Sequence, residues 1–337
     1  MATAEETLPK TINFMKTIYL NKDSKCTKPC VATIGFFDGV HRGHQYLIAR
    51  LIEKARREGL EATVITFDKH PREVLHADYQ PLLLNTFEEK ELLLSKTGID
   101  NCAVLPFSVE MAGYSARDFM QKVLKERLQV RILYIGYDNR FGHNREETFD
   151  DYVRYGKEMG ITVVRNDEFK AESTERENTC PPKISSSQIR KYLLNGDAEM
   201  AEQCLGYPYF LWGTVVDGVQ KGRELGFPTA NIAVNDPRKL IPAPGVYAVN
   251  ACLKTETMLR PSMMNIGRRP TFGDNALSLE VHILDYSGNL YGQQLAVGFV
   301  RRMREEHRFD SEQELAAQLQ SDAREVRDLF STPDNDK

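Results

Sequence analysis

The run Gly35-Phe36-Phe37-Asp38-Gly39-Val40-His41-Arg42-Gly43-His44 sets two imidazoles among three glycines. Glycines let a backbone approach an anion closely. His41 and His44 lie three residues apart, so they project from one side of a turn. An imidazole N–H placed there can stabilise charge that develops on a phosphate under attack. Two plainer readings compete. Both histidines could be satisfied structural groups. Alternatively, Cys26, Cys30, His41 and His44 loosely evoke a zinc finger. Their gaps fall short of finger spacing, and an apolar strand fills the longest one. Other phosphate motifs are absent: no G-x-G pair and no G-x-x-x-x-G-K-[ST] occurs.

A second cluster is Gly222-Arg223-Glu224-Leu225-Gly226-Phe227-Pro228-Thr229-Ala230-Asn231. A turn rich in Gly and Arg can wrap phosphates, and Thr229 and Asn231 offer oxygens to a hard cation. The same residues would also serve as an ordinary turn before a strand. Downstream, Glu280 stands between Leu279 and Val281. On a strand it would face opposite to both, either as a solvated carboxylate or as a base.

These groups need elements to position them. Val31–Phe36 reads as a strand, and His44–Arg57 as a helix with Leu47, Ile48, Leu51, Ile52 and Ala55 on one face, stopped by Gly59. Ala62–Phe67, Ala103–Phe107, Arg131–Gly136 and Ile161–Val164 read as strands. Ser115 can cap a helix reaching about Leu128, and Phe149–Gly160 is another helix. Such alternation implies a doubly wound α/β fold with a parallel sheet. In an open sheet of this kind, ligands bind where a strand ends and a helix begins, and helix N-termini attract anions. Arg165–Lys183 loses periodicity and reads as a solvated loop or a mobile segment beside a site.

Helical signals return over Ser187–Leu205, and then the style changes. Leu211–Val216, Gly245–Leu253, Leu279–Leu284 and Gln294–Phe299 are short β-rich runs separated by turn residues. They predict a small antiparallel barrel or sandwich. A final helix begins at a capping box of Ser311 and Glu314, with Leu315, Leu319, Val326 and Phe330 inward. The expected organisation is residues 12–190, a helical linker at 191–205, and a domain at 206–331.

The 337 residues suit two domains, and the charge of −4 is spread without a basic face or tail. That argues against nucleic-acid or anionic-membrane binding. No apolar run is long enough to span a bilayer. Met1–Leu20 lacks an apolar signal core, and six scattered Cys fit a reducing cytoplasm.

His-x-Gly-His after a first strand resembles the nucleotidyltransferase superfamily. Three further segments sharpen the resemblance: Thr66-Phe67-Asp68-Lys69-His70-Pro71, Gly136-Tyr137-Asp138-Asn139-Arg140-Phe141-Gly142 and Ile184-Ser185-Ser186-Ser187-Gln188-Ile189-Arg190. Together they resemble the FMN adenylyltransferase module of the bacterial bifunctional riboflavin kinases/FAD synthetases. The second cluster resembles the kinase module of the same family, as do Pro244-Gly245-Val246-Tyr247, Asn265-Ile266-Gly267, Pro270-Thr271-Phe272, Glu280-Val281-His282 and Tyr291-Gly292. Ser187 stands where Thr is common, Asn139 where Phe or His is common, and Arg165–Lys183 is longer than usual.

The resemblance implies phosphorylation of riboflavin by ATP to FMN, then adenylylation of FMN to FAD with release of pyrophosphate. It implies that His41 and His44 bind ATP phosphates, with Gly35, Phe36, Asp38, Gly39 and Gly43 forming their loop. Asp138 would place nucleotide or flavin, and Ser185, Ser186 and Arg190 would hold pyrophosphate. Glu280 would be the kinase base. Thr229 and Asn231 would position Mg²⁺–ATP, and Gly222, Arg223, Gly226, Pro228 and Arg304 would complete the ATP and flavin contacts.

Overall fold

The computed structural model describes residues 15–21, 25–26, 28–75, 82–136, 140–143, 146–169, 183–218, 226–268 and 277–331. The chain divides into two compact units, and among the described residues the division falls between Ser185 and Ser186.

The first unit is a six-stranded sheet, β1 (Lys16–Tyr19), β2 (Cys30–Ile34), β3 (Glu61–Phe67), β4 (Asn101–Leu105), β5 (Val130–Ile135) and β6 (Thr162–Arg165). Its order is β1-β4-β3-β2-β5-β6, and every pairing is parallel. From β2 the chain winds outward through β3 and β4, then returns to β5 on the other side of β2. The β2/β5 boundary is therefore the topological switch point, and the crevice beyond it opens at the strands' C-terminal ends. The loop that begins at Gly35 and the one that follows Ile135 both start there.

Helix α1 (Arg42–Glu58) forms as its periodicity demands: Leu47, Ile48, Leu51 and Ala55 are buried, and Gly59 ends it with φ 67°. Then come α2 (Pro71–Leu75), α3 (Phe87–Ser95), α4 (Val109–Ala112), α5 (Ala116–Phe119) and α6 (Phe149–Met159). Ser115 caps α5 as expected, but the helix widens into a π-turn over Met120–Lys125. Apolar spacing does not reveal β1 or α3.

The second unit starts with α7 (Ser186–Leu194) and α8 (Ala198–Leu205). Six strands follow: β7 (Phe210–Val216), β8 (Ala230–Ala233), β9 (Gly245–Leu253), β10 (Arg260–Arg268), β11 (Leu277–Ile283) and β12 (Gln294–Arg304). They close into an antiparallel barrel in the order β10-β11-β8-β7-β12-β9. Closure leaves no open edge. Helix α9 (Glu312–Ser331) lies on β10, where Ala323 and Val326 join Met263, Ala248 and Leu284 in a small core. Ser311 Oγ accepts from Glu314 N at 3.2 Å, while the Glu314 carboxylate turns to Asp310 N, one residue earlier than a reciprocal box requires. Helix α8 packs against β12, and the turn at Gly196 presses on the Arg302 side chain.

Candidate active sites

The first site grows from the end of β2. The strand is buried along its whole length, so the chain leaves it only at Gly35. Three residues then take positive φ: Phe37 at 56°, Gly39 at 82° and Val40 at 34°. Such conformations cost about 1–3 kcal/mol each for non-glycine residues and persist where their surroundings enforce them. The Phe37 and Val40 side chains are buried and hold that backbone in place. A Cβ at Gly35 would come 3.1 Å from the Phe37 ring and one at Gly43 3.3 Å from the His41 ring, so each ring would have to give by a few tenths of an ångström.

His41 is the N-cap of α1, and its Nδ1 accepts from His44 N at 3.4 Å. The two imidazoles stack with centroids 3.7 Å apart and planes 16° apart, and Phe37 meets His44 edge-on. Burial, then His41 and then Lys90 hold His44 well below the usual imidazole range, so it is neutral. Its Nδ1 is buried with no hydrogen-bond partner among the described residues. A pre-stacked imidazole pair at a helix N-terminus, with His44 neutral, is a donor surface for an anion.

Behind the loop stands a residue that sequence reasoning missed. Lys90, on α3, is 3% exposed. Its Nζ donates to Phe36 O at 3.2 Å and to Thr66 Oγ1 at 3.2 Å. It lies over the Phe36 ring at 4.2 Å. Asp38 is buried, and its carboxylate accepts from Leu84 N at 3.0 Å and Asn85 N at 3.3 Å. It thus ties the loop to the segment leading into α3. The Asn85 amide is itself buried without a partner among the described residues.

Ser185 lies just before α7, Ser186 opens it, and Arg190 follows one turn later, all half-buried. Ser186 and Arg190, four apart, share one helix face by spacing. Asp138 lies outside the described residues, as do Gly222 and Arg223.

In the barrel, strand register assembles the second site. Glu280 pairs with Asn231 on β8 and with Asn265 on β10. Residues directly opposite in antiparallel strands project from the same face, so Asn231, Glu280 and Asn265 stand abreast across three strands. Leu279, Val281 and Ile283 are buried and alternate with half-buried Glu280 and His282, as strand periodicity requires. Asn265 Nδ2 donates to Glu306 Oε1 at 3.1 Å. His282 Nδ1 meets Pro228 O at 2.8 Å, and burial lowers its pKa. A groove lined by Phe227, Pro228, His282, Tyr286, Arg324 and Arg327 runs beside the row.

Gly226 has φ 81°, and Thr229 lies just before β8, two residues from Asn231. Arg304 stands opposite Val246, the β9 partner of Asn265, so the register carries the row on to it. It makes a bidentate pair with buried Asp322 on α9, with Nη2 to Oδ2 at 2.7 Å, and Gln318 bonds the same carboxylate. It fastens the helix to the barrel. Two register shifts in β12 re-aim Arg302 and Arg304.

Two family models match the chain, FAD synthetase over residues 23–180 and riboflavin kinase over 205–330. The bifunctional riboflavin kinase/FMN adenylyltransferase of Escherichia coli K12 is 37% identical over 89% of this chain and 93% of its own. That of Listeria monocytogenes is 37% identical over 94% and 99%. The chain belongs to this family. It is a riboflavin kinase and an FMN adenylyltransferase, converting riboflavin to FMN and then FMN to FAD with ATP. A solved structure described as a macrolide-efflux protein from Streptococcus pneumoniae shares 31% identity and a TM-score of 0.83 over 93% of this chain and 99% of its own. Among the described residues no helix is long and apolar enough to cross a membrane.

Enzymes of both kinds generally need a divalent cation with ATP. Among the described residues no group of three His, Cys, Asp or Glu could hold one. The fit lies with oxygens at β8. A Cβ on Gly218 would fall 1.9 Å from Asn231 Nδ2, so the Asn231 amide fills a space that only glycine leaves open. Two neutral oxygens plus substrate phosphates and waters are the donor set that Mg²⁺ tolerates.

Proposed function

We propose that the first unit adenylylates FMN at the loop between β2 and α1, and that the barrel phosphorylates riboflavin at the face bearing Glu280. The observation that carries the first assignment is the stacked His41–His44 pair at the N-cap of α1, beside the sheet's switch point. His41 and His44 bind the ATP phosphates, and Gly35, Phe36, Gly39 and Gly43 allow the backbone to approach them. The FMN phosphate is already ionised and needs no base, so positioning and charge neutralisation do most of the catalysis. Asp38 acts as a brace that positions the loop. Asp138 places nucleotide or flavin. Ser185, Ser186 and Arg190 hold the departing pyrophosphate, for which the guanidinium fork is suited.

In the kinase step the nucleophile is a neutral hydroxyl. Glu280 takes its proton and orients it toward the phosphate. Thr229 and Asn231 would hold Mg²⁺, which would supply neutralisation of phosphate charge. Gly222, Arg223, Gly226 and Pro228 enclose ATP, and the groove beside His282 seats one of the two substrates. Arg304 completes the ATP and flavin contacts from the strand end that also holds α9. The cytoplasm is the proposed location, since Cys30, Cys102, Cys204 and Cys252 form no disulfide among the described residues, which suits a reducing compartment.

A crossed assay tests the division of labour. Each half-reaction is measured on wild type, on the His41→Ala/His44→Ala variant and on Glu280→Gln. Each variant should lose one half-reaction and keep the other. A variant that loses both equally, or neither, overturns its assignment.

A further inference from the structure

We propose that Lys90 is a positioning residue of the adenylyl-transfer site: it pins the loop behind His41 and His44 and holds a proton there when ATP phosphates bind. This rests on the assignment of ATP phosphates to that loop.

The geometry is specific. Lys90 Nζ bonds two neutral oxygens, Phe36 O and Thr66 Oγ1, and Thr66 Oγ1 also donates to Phe36 O at 3.2 Å. The Phe36 carbonyl is thereby drawn into the interior of the unit and kept from facing an anion at the N-terminus of α1. The next residue, Phe37, is the first with positive φ. Lys90 therefore anchors the strained turn at its start, as Asp38 does at its middle through Leu84 and Asn85.

A buried ammonium that only braced a loop would be a costly choice, because an apolar side chain of similar length fills such space without desolvating a charge. The charge has a use if a polyanion arrives beside it. The titratable groups around Lys90 come from every neighbouring element: Asp38 from the loop, His44 from α1, Asp68 after β3, Glu91 on α3 and Cys102 on β4. Asp38 already accepts backbone N–H bonds, and His44 is neutral. Burial brings the Lys90 ammonium down to about 8. Phosphates bound at the loop would raise it again, since an opposite charge nearby favours the charged form. Above about pH 8, then, ATP binding at this site carries a proton uptake, and apparent affinity falls up to about tenfold per pH unit.

The experiment measures KM for ATP in both half-reactions of the full-length enzyme from about pH 7 to about pH 9.5. Riboflavin phosphorylation uses the same Mg²⁺–ATP and controls for titration of the substrate. In wild type, KM in FAD formation should climb above pH 8 while the kinase KM does not follow. Lys90→Arg keeps its charge throughout this range and should flatten the climb. Lys90→Met should give a raised KM that no longer depends on pH, with riboflavin phosphorylation unchanged. A wild-type profile that moves together in both half-reactions overturns the proposal without any variant. So does a Lys90→Met enzyme with wild-type KM at neutral pH. If His41→Ala/His44→Ala leaves FAD formation intact, the site assignment itself fails. If that variant is inactive while Lys90 variants behave as wild type, only the role of Lys90 fails.

Discussion

In the first unit the two stacked imidazoles come from one loop, Gly35–His44, while in the barrel Asn231, Glu280 and Asn265 come from three strands. The loop works by strain and burial. Two non-glycine residues at positive φ, two stacked imidazoles and a buried ammonium fix one arrangement before substrate arrives. The barrel face works by register, with Asn231 buried and Glu280 and Asn265 half-buried. The reactions explain the contrast. Adenylyl transfer to an ionised phosphate asks for a preorganised anion site, which gains from low mobility and low dielectric. Phosphorylating a hydroxyl asks for a proton acceptor in reach of substrate, the role proposed for Glu280.

The largest expected effect breaks the loop side of this contrast. Loss of one charge-stabilising donor typically costs about 10²–10³ in rate. His41→Ala/His44→Ala removes two and should take FAD formation from FMN below detection, with riboflavin phosphorylation retained. Chromatographic separation of FMN from FAD reads both on one sample.

The second tests whether each unit stands alone. Ile189, Leu193, Ala198, Ala201, Cys204 and Leu205 are buried within the barrel's unit, and Arg302 sits against Gly196. A fragment from Ser186 to the end keeps these contacts, whereas one from Gly206 exposes the barrel surface they cover. Burying a Leu or Ile side chain contributes about 1.5–3 kcal/mol, so the difference is on the order of 5 kcal/mol. The longer fragment should fold and phosphorylate riboflavin, with a clearly higher urea midpoint. Equal midpoints would show that α7 and α8 add nothing to the barrel.

The third targets register. Glu280→Gln keeps shape and hydrogen bonding but removes the proton acceptor. General-base catalysis contributes about 10²–10⁴, and a loose phosphoryl-transfer transition state favours the lower end. A fall of about 10² in riboflavin phosphorylation, with near-normal riboflavin binding and normal FAD formation from FMN, is expected. An unchanged rate where chemistry limits turnover would leave Glu280 an ordinary strand residue.

How much of this was readable from residues alone depends on what periodicity detects. The helix after His41, the sheet strands β2 to β6 and the alternation around Glu280 follow from apolar spacing. Helix α3 does not, because two of its four buried side chains are Glu89 and Lys90. A reading that equates buried with apolar scores that segment as solvated. Strand β10 hides for a related reason: Pro261, Ser262 and Asn265 interrupt its apolar pattern, and Ser262 is fully buried. The bond from Asp38 to Leu84 and the pair of Arg304 with Asp322 join residues far apart in sequence. Motif resemblance marks such residues without revealing what they touch.

The smallest effect sharpens the comparison most, because it separates stability from function at Lys90. An unfolded lysine titrates near about 10.4, and in the folded unit Lys90 titrates at about 8. Between those values the unfolded chain binds more protons, so wild-type stability rises with pH across that window. At neutral pH the buried charge therefore costs on the order of 3 kcal/mol relative to an unshifted group. Lys90→Met removes that cost but also loses two hydrogen bonds, at about 1 kcal/mol each. The net expectation is a gain of about 1 kcal/mol at neutral pH that fades as pH rises toward 10, read by urea unfolding of the first unit. A site that holds charge for an anionic substrate should show this opposition, a variant more stable yet poorer in FAD formation. A variant less stable at every pH would mean that the bonds to Phe36 and Thr66 outweigh the buried charge, making Lys90 chiefly a structural pin.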